Sequence, residues 1–228
     1  MKRTLAPALA AALAAASLAG PLAAGEIPDA VLVLEMAPGT PGSDASGAPP
    51  RFVLLRDGQV FVGGTQRLEA GRLEKDEAKA LAQRARALRK LPGIGQPLAF
   101  GTRTDLTLRL RLIDDEPLDV QATGDPAAAP AALQPLASLV QDLARFQHAS
   151  LRTYAPSAYA LRARAERLTG GCRAWTFAHP LEAALALPRA VPALDAEGWP
   201  TGAMPASVCV DDRRYAVTLR PLLPDERP

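Results

Sequence analysis

The chain is predicted to be an α+β protein, with a mostly antiparallel sheet covered by two amphipathic helices and then a proline-rich, disulfide-stapled, β-containing C-terminal part. Three observations predict this fold class. Leucine alternates with polar residues over residues 106–112, two stretches repeat apolar residues with a helical period, and prolines recur between residues 178 and 206. Period two is typical of a strand with one buried face, and a period near 3.6 of a helix with one buried face.

The first 24 residues have the order of a cleavable secretory signal peptide. Two basic residues are followed by an apolar stretch over residues 5–18 and by small residues up to Ala24. An uncleaved membrane anchor is the alternative, but alanine dominates the stretch, and Pro7 and Gly20 interrupt it. We therefore expect an exported bacterial protein, periplasmic or secreted, with no stable membrane insertion after cleavage.

Formal charge gives no reason to expect a polyanionic partner. The leader holds two of the 26 basic residues and none of the 24 acidic ones, so the charges of the mature chain cancel. A net-neutral protein is expected to leave heparin near the start of a salt gradient, and nucleic acid is not an expected partner. The basic residues of the first predicted helix are interpreted as a solvated face.

Residues 25–150 are predicted to form a two-layer α+β domain. The apolar segment from Ala30 to Met36 predicts a strand, and the stretch from Ala37 to Pro50, rich in Pro, Gly and Ser, predicts a flexible loop. Asp-Gly at residues 57–58, between two β-rich runs, predicts a hairpin because glycine readily takes the positive φ of the turn.

Two helices are expected to cover one face of this sheet. Residues 73–91 and residues 131–146 carry apolar side chains at helical spacing. Between them, residues 106–112 and 118–123 alternate around an acidic turn, so one face of that hairpin is buried and the other is wet. Both helices then pack on the buried face.

Residues 151–228 are predicted to form a separate β-rich segment. Residues 159–165 alternate as in a strand, although the same residues are compatible with a helix. Five prolines between residues 178 and 206 exclude a long helix and leave room only for a two-turn piece over residues 180–187. Two β-rich runs that flank residues 211–214 predict a closing hairpin.

Cys172 and Cys209 are predicted to form a disulfide. They are the only cysteines of the chain, and export would place them in an oxidising compartment. Two buried free thiols or a metal pair are the alternatives, and metal is the weaker of these because His179 alone cannot complete a closed site. The bridge would enclose the proline-rich stretch.

Short motifs give no catalytic, cofactor-binding or metal-binding assignment. Gly93-Ile94-Gly95 follows a helix and lacks a third glycine, so it is interpreted as a turn and not as a dinucleotide fingerprint. The acidic groups at residues 114–116 and 211–212 lack calcium-loop spacing and are interpreted as hairpin turns. His148 lies two residues before Ser150, and such adjacency is not the geometry in which imidazole activates a hydroxyl.

A non-enzymatic binding or interaction module, for an unknown protein or small-molecule ligand, is the favoured function. Trp175, Phe177 and Trp199 are interpreted as a local core, with a binding groove as the alternative. The rival function is a hydrolase or transferase with dispersed carboxylates, for example Asp105 or Asp119. Convergent ionisable groups with perturbed pKa in one cleft would favour the enzyme, and a flat or aromatic-lined surface would favour binding.

Overall fold

Two sheets form the protein in the computed structural model. The described residues are 27–38, 50–63, 68–103, 105–165, 171–201 and 205–228. The predicted signal peptide over residues 1–24 lies outside the described residues, and so does most of the predicted loop from Ala37 to Pro50. Ala37 and Pro38 themselves end the first strand. No helix within the described ranges is long and apolar enough to cross a membrane.

Sheet A has eight strands in the order β5-β7-β6-β1-β2-β3-β4-β8. The strands are β1 (Ala30–Pro38), β2 (Phe52–Leu55), β3 (Gln59–Gly63), β4 (Leu68–Arg72), β5 (Leu98–Phe100), β6 (Leu106–Leu112), β7 (Leu118–Gly124) and β8 (Arg152–Thr153). All neighbours pair antiparallel except β5, which runs parallel to β7. The predicted α+β fold class, with mostly antiparallel strands, is confirmed.

Both predicted helices are present. Helix α1 (Lys75–Ala87) continues into a 3₁₀ turn, and a 3₁₀ turn also precedes helix α2 (Gln134–Ala144). A capping box starts α1, in which the Glu77 carboxylate accepts from the backbone N–H of Glu74 at 2.9 Å. Arg51 binds the C-terminal end of α2, because its Nε donates to the carbonyl oxygen of Ala144 at 2.9 Å.

The two helices cover the same face of sheet A, as the one-sided alternation predicts. Leu108, Leu110 and Leu112 of β6 are at most 1% exposed and share one core with apolar residues of both helices. The buried helical residues of that core are Ala82, Ala85, Leu136, Ala137, Leu139, Val140 and Leu143. Burying this one continuous layer supplies the main driving force for folding the part of the chain that forms sheet A.

The opposite face of sheet A is covered over only half of its width. Val33, Val53 and Phe61 on β1 to β3 form a second cluster there, together with Leu223 from the C-terminal tail. All four residues of β2 are therefore buried, which a one-sided alternation does not predict. On β6 and β7 the same face is polar, as predicted, with Arg109 and Asp119 in an ion pair.

The two short strands at the edges of sheet A escape prediction from the sequence. Strands β5 and β8 have three and two residues, too few to show a period. Strand β5 also depends on Gly124, which has a φ of +97°. The backbone of Phe100 approaches Gly124 so closely that a Cβ at residue 124 would clash with the carbonyl oxygen of Phe100. Only the tertiary fold brings these two segments together.

Sheet B has the order β10-β9-β12-β11 and its own core. Its strands are β9 (Ala158–Ala165), β10 (Arg189–Pro192), β11 (Ala206–Val210) and β12 (Arg213–Pro221), with helix α3 (Leu181–Ala186) packed against them. The strand at residues 159–165, the two-turn helix and the closing hairpin are confirmed. The hairpin turn contains only Asp211 and Asp212, with φ of +47° and +61°, as in a type I′ turn.

The predicted disulfide between Cys172 and Cys209 is present, with an S–S distance of 2.02 Å. It joins the segment around Arg173 to β11, and that segment adds a parallel bridge to the outer edge of the strand. Arg173 N–H donates to Ser207 O at 2.9 Å, and Cys209 N–H donates to Arg173 O at 3.0 Å. One edge of sheet B is thus covered and covalently fixed.

The C-terminal tail connects the two sheets. Nη1 of Arg220 on β12 lies 2.7 Å from Oε1 of Glu226, and both side chains are almost fully buried. The hydroxyl of Tyr154 donates to the carbonyl oxygen of Leu222 at 3.0 Å, and burial and the charge of Glu226 raise the pKa of Tyr154. The predicted division after residue 150 stays a prediction.

Candidate binding site

Three aromatic rings come together beside sheet B. Phe177 is buried, and its ring centroid lies 5.2 Å from that of Trp175 and 4.6 Å from that of Trp199. The first pair meets edge to face and the second pair is tilted, which are favourable aromatic geometries. Phe177 belongs to the core of sheet B, whereas both tryptophans pack against that core and remain half-buried. Phe177 is therefore part of the local core that the sequence predicts, and the two tryptophans form a partly accessible aromatic surface over it.

Arg173 lies over this aromatic surface. Its guanidinium carbon is 5.8 Å from the ring centroid of Trp199, within cation–π range, and its Nη1 donates to Gly198 O at 2.6 Å. The backbone of Arg173 is fixed by the neighbouring disulfide and by its two hydrogen bonds to β11. The arginine is thus positioned on a rigid base, with its charge held beside the indole of Trp199.

Hydrogen bonds also orient Trp175. Its indole N–H donates to the carbonyl oxygen of His179 at 2.9 Å, and Nε2 of His179 lies 3.1 Å from the carbonyl oxygen of Ala190 on β10. His179 therefore links the aromatic segment to the edge of sheet B. The described residues contain no group of three or more His, Cys, Asp or Glu side chains that could hold a metal ion.

Exposed leucines continue the apolar surface along the chain. Leu187 is 64% exposed and Leu194 is 83% exposed, on either side of β10, and Leu185 is also exposed. These three are most of the large apolar side chains found exposed among the described residues. These three leucines lie in the sequence between Phe177 and Trp199, the part of the chain that also contributes the aromatic rings.

His148 and Ser150 contact each other, a contact that sequence adjacency alone did not predict. Nδ1 of His148 lies 2.7 Å from Oγ of Ser150, and Nε2 of His148 lies 3.6 Å from Oε1 of Glu77. The serine hydroxyl is also bound to β4, because it accepts from Arg72 N–H at 3.0 Å and donates to Arg72 O at 2.9 Å. A Cβ at Gly71 would stand 2.6 Å from the same oxygen. These contacts fix the loop around Ser150 to β4.

Replacing Ser150 with Ala is expected to destabilise the protein by about 1 kcal/mol, because the exposed backbone groups of Arg72 lose their hydrogen bonds to the serine hydroxyl. Urea unfolding measures this change, with Ser157→Ala, at an exposed position, as the matched control. Unchanged stability, or covalent labelling of Ser150 by a fluorophosphonate, would contradict the structural role.

The acidic residues of the candidate sites are paired with arginine. Asp114 accepts from Arg86 at 2.7 Å and from Arg89 at 2.9 Å, and the bond from Arg86 is the main cause of its lowered pKa. This network fixes the β6–β7 turn to α1, which confirms the interpretation of residues 114–116 as a hairpin turn. Carboxylates held as anions by arginine are poor general acids.

The two carboxylates considered for catalysis are also ion-paired. Asp105 is bound by Arg103, and that hydrogen bond is the main reason why its pKa is lowered. Asp119 is bound by Arg109, whose Nε donates to its two carboxylate oxygens at 2.9 and 3.1 Å. Asp105 lies just before β6 and Asp119 lies on β7, and each is bound to its own arginine.

Gly93-Ile94-Gly95 forms the turn after α1, as predicted. Gly93 and Gly95 have φ of +76° and +89°, and Gln96 N–H donates to Gly93 O at 3.1 Å.

Comparison of the chain with protein-family models, with curated proteins and with solved structures found no match.

Proposed function

We propose that this chain is an exported, non-enzymatic binding protein that contacts a protein or small-molecule ligand through Trp175, Trp199 and Arg173. The observation that carries the proposal is the arrangement of two half-buried tryptophans around a buried phenylalanine, with an arginine over one indole. Tryptophan and arginine are the residue types most enriched where binding energy is concentrated.

Rigidity of the site supports this proposal. The disulfide and two backbone hydrogen bonds hold Arg173, and the indole N–H of Trp175 is fixed by His179. A ligand that meets side chains already held in place loses less conformational entropy on binding. The surface is therefore pre-organised in the way that binding sites commonly are.

The charge arrangement favours binding over catalysis. The carboxyl groups with perturbed pKa, Asp105 and Asp114, are shifted downward by arginine and lie apart from the aromatic surface. A carboxyl that acts as a general acid near neutral pH needs the opposite shift, usually through burial or a second carboxylate. The disulfide and the signal-peptide pattern of residues 1–24 support export.

Intrinsic fluorescence tests the binding site without a label, because the two tryptophans of the site are the only ones in the chain. We expect a saturable change in tryptophan emission with one class in a panel of neutral oligosaccharides and short apolar or aromatic peptides. Trp199→Ala should weaken that binding by about tenfold or more, as expected for a central aromatic contact.

The matched control is Tyr159→Ala, which removes another half-buried aromatic that packs on the same core but lies outside the ring cluster. Equal loss of affinity in both variants would point to general destabilisation of sheet B. A panel without any saturable response, or a response that Trp199→Ala leaves unchanged, would overturn the proposed site.

A further inference from the structure

Arg173 carries a charge that no carboxylate of the described residues pairs with. It is exposed, and its contacts are the carbonyl oxygen of Gly198 and the indole of Trp199, both of which are uncharged. Arg109 on sheet A differs, because it is bound to the carboxylate of Asp119. A positive charge is therefore held beside the aromatic surface without an anionic partner from the described part of the chain.

One edge of the Arg173 guanidinium is open to a ligand. The contact with Gly198 uses an N–H of Nη1, and no described residue accepts a hydrogen bond from Nε or Nη2 of Arg173. In Arg109 the corresponding Nε and Nη2 donate side by side to the two oxygens of Asp119. This pairing of guanidinium and carboxylate is strong and directional. The open edge of Arg173 has the donors that the same pairing with a ligand carboxylate requires.

Arg173 is held at both of its ends. Its backbone N–H donates to Ser207 O at 2.9 Å, its backbone oxygen accepts from the N–H of Cys209 at 3.0 Å, and the preceding residue is the bridged Cys172. The guanidinium is fixed by the 2.6 Å hydrogen bond to Gly198 O. An anion that binds here does not have to order a free side chain, which lowers the entropy cost of binding.

Apolar surface lies directly beside this open edge. The guanidinium carbon of Arg173 is 5.8 Å from the ring centroid of Trp199, and the rings of Trp199 and Trp175 both pack against Phe177. Both indoles are half-buried, so part of each ring still faces solvent. A ring or a large aliphatic group attached next to a bound carboxylate would cover this surface and gain hydrophobic free energy.

The surroundings suit a ligand with a single negative charge. Among the described residues, Arg173 is the one cation that lies over an aromatic ring. The turn that leads into Trp199 carries two exposed acidic residues, Asp195 and Glu197. One guanidinium can pair with one carboxylate, whereas further negative charges on a ligand would gain no second partner from it and would be repelled by these acids.

We infer that Arg173, with Trp199 and Trp175, binds an apolar monocarboxylate, a ligand in which one carboxylate stands next to an aromatic or large aliphatic group. The inference rests on the proposed function and names the ligand class of the same site. A small free carboxylate and the C-terminus of a peptide that ends in an aromatic residue share this chemistry. Neutral sugars lack the carboxylate.

Two probes that differ only in charge test the inference in the intact protein. Titrations followed by tryptophan emission compare N-acetylphenylalanine with its amide, which has the same ring but no carboxylate. We expect the acid to bind about tenfold more tightly or better, because a charge-assisted pair is worth roughly that factor. Equal affinity of the acid and the amide would overturn the inference.

Arg173→Gln locates the preference for the acid. It should weaken binding of the acid to the level of the amide and leave binding of the amide nearly unchanged. Arg56→Gln removes the same charge from an exposed turn of sheet A and should keep the full preference. Equal loss of affinity for acid and amide in Arg173→Gln would show that Arg173 only supports the rings, and would overturn its role as the carboxylate partner.

A lysine variant covers the case in which Arg173→Gln does not fold, as judged by near-UV circular dichroism. Arg173→Lys keeps the charge and loses the paired donors, so the advantage of the acid over the amide should fall severalfold. An undiminished advantage in folded Arg173→Lys would overturn the pairing with the guanidinium edge.

Further probes distinguish the sources of the carboxylate. Tighter binding of N-acetyl-tetraalanyl-phenylalanine than of N-acetylphenylalanine would assign the ligand to a peptide C-terminus, and equal binding would assign it to a small free carboxylate. Either result supports the inference when the acid is preferred to its amide. Tighter binding of phenyl phosphate than of N-acetylphenylalanine would overturn the choice of a singly charged ligand.

The same titrations separate this inference from the proposed function. A saturable response only to a neutral oligosaccharide, or equal responses to acid and amide, would overturn the inference and leave the aromatic binding site standing. No saturable response to any probe would overturn both.

Discussion

Replacing Leu108 with Asp is expected to prevent folding of sheet A. Leu108 is fully buried on the helix-covered face of β6, and its strand neighbours are Met36 on β1 and Ala122 on β7. Loss of the leucine alone costs about 2–5 kcal/mol, and an uncompensated carboxylate in an apolar core adds several more. Together these costs equal or exceed the whole stability of a typical domain, about 5–15 kcal/mol. Far-UV and near-UV circular dichroism of the purified variant measure the result.

Arg109, the next residue along β6, provides the matched control. It faces away from the core, and Arg109→Gln should lower stability by only about 1 kcal/mol, the usual worth of a partly exposed ion pair. Arg109→Glu should lower stability more than Arg109→Gln, although residue 109 faces away from the core. The new carboxylate would lie beside the carboxylates of Asp119 and Glu35. The hydrogen bonds that Arg109 donates to Asp119, together with the charges of Asp119 and Glu35, raise the pKa of Arg109. Equal effects of Leu108→Asp and Arg109→Gln would refute the assigned faces of β6.

Long periodic segments of this chain are predictable because their local pattern and the tertiary fold agree. Strand β6 repeats leucine over seven residues, and both helices repeat apolar residues over three turns, so each carries its own signal. Strands β5 and β8 carry no such signal. They exist because Gly124 lets one segment approach β7 and because the chain after α2 passes β4, and neither cause is visible locally.

The second face of sheet A shows why burial was only partly predictable. Val53 and Phe61 have the residue types of a buried face, but the sequence does not show what covers them. The covering side chain of Leu223 comes from the other end of the chain, held there by the Arg220–Glu226 pair. Contacts between residues so far apart in sequence depend on the complete topology.

The sequence predicted the disulfide but did not predict every feature of the surface. The disulfide between Cys172 and Cys209 followed from cysteine number and the export signal alone. The aromatic surface did not, because the sequence shows the aromatic residues Trp175, Phe177 and Trp199 but not that both tryptophans stay half-buried around the phenylalanine.

Removing the disulfide with Cys172→Ser/Cys209→Ser is expected to lower the free energy of unfolding of sheet B by about 4 kcal/mol. The two cysteines are 37 residues apart, and closing a loop of that length reduces the entropy of the unfolded chain by this amount in the chain-entropy model. Urea unfolding monitored by tryptophan emission measures it, since both tryptophans report on this sheet. A change below about 1 kcal/mol would show that the bridge constrains the unfolded chain little.

Hydrogen exchange of the same double variant shows where the stability is lost. The cores of the two sheets are separate clusters, and the bridge lies wholly on the side of sheet B. Protection should therefore fall most between residues 172 and 209, where the segment around Arg173 is released from β11, and should persist in β1, β6 and both long helices. The tail is a path by which the loss can spread, because Glu226 contacts both Arg220 on β12 and Leu223, which packs on sheet A. Uniform loss of protection would mean that this path makes the two sheets a single cooperative unit.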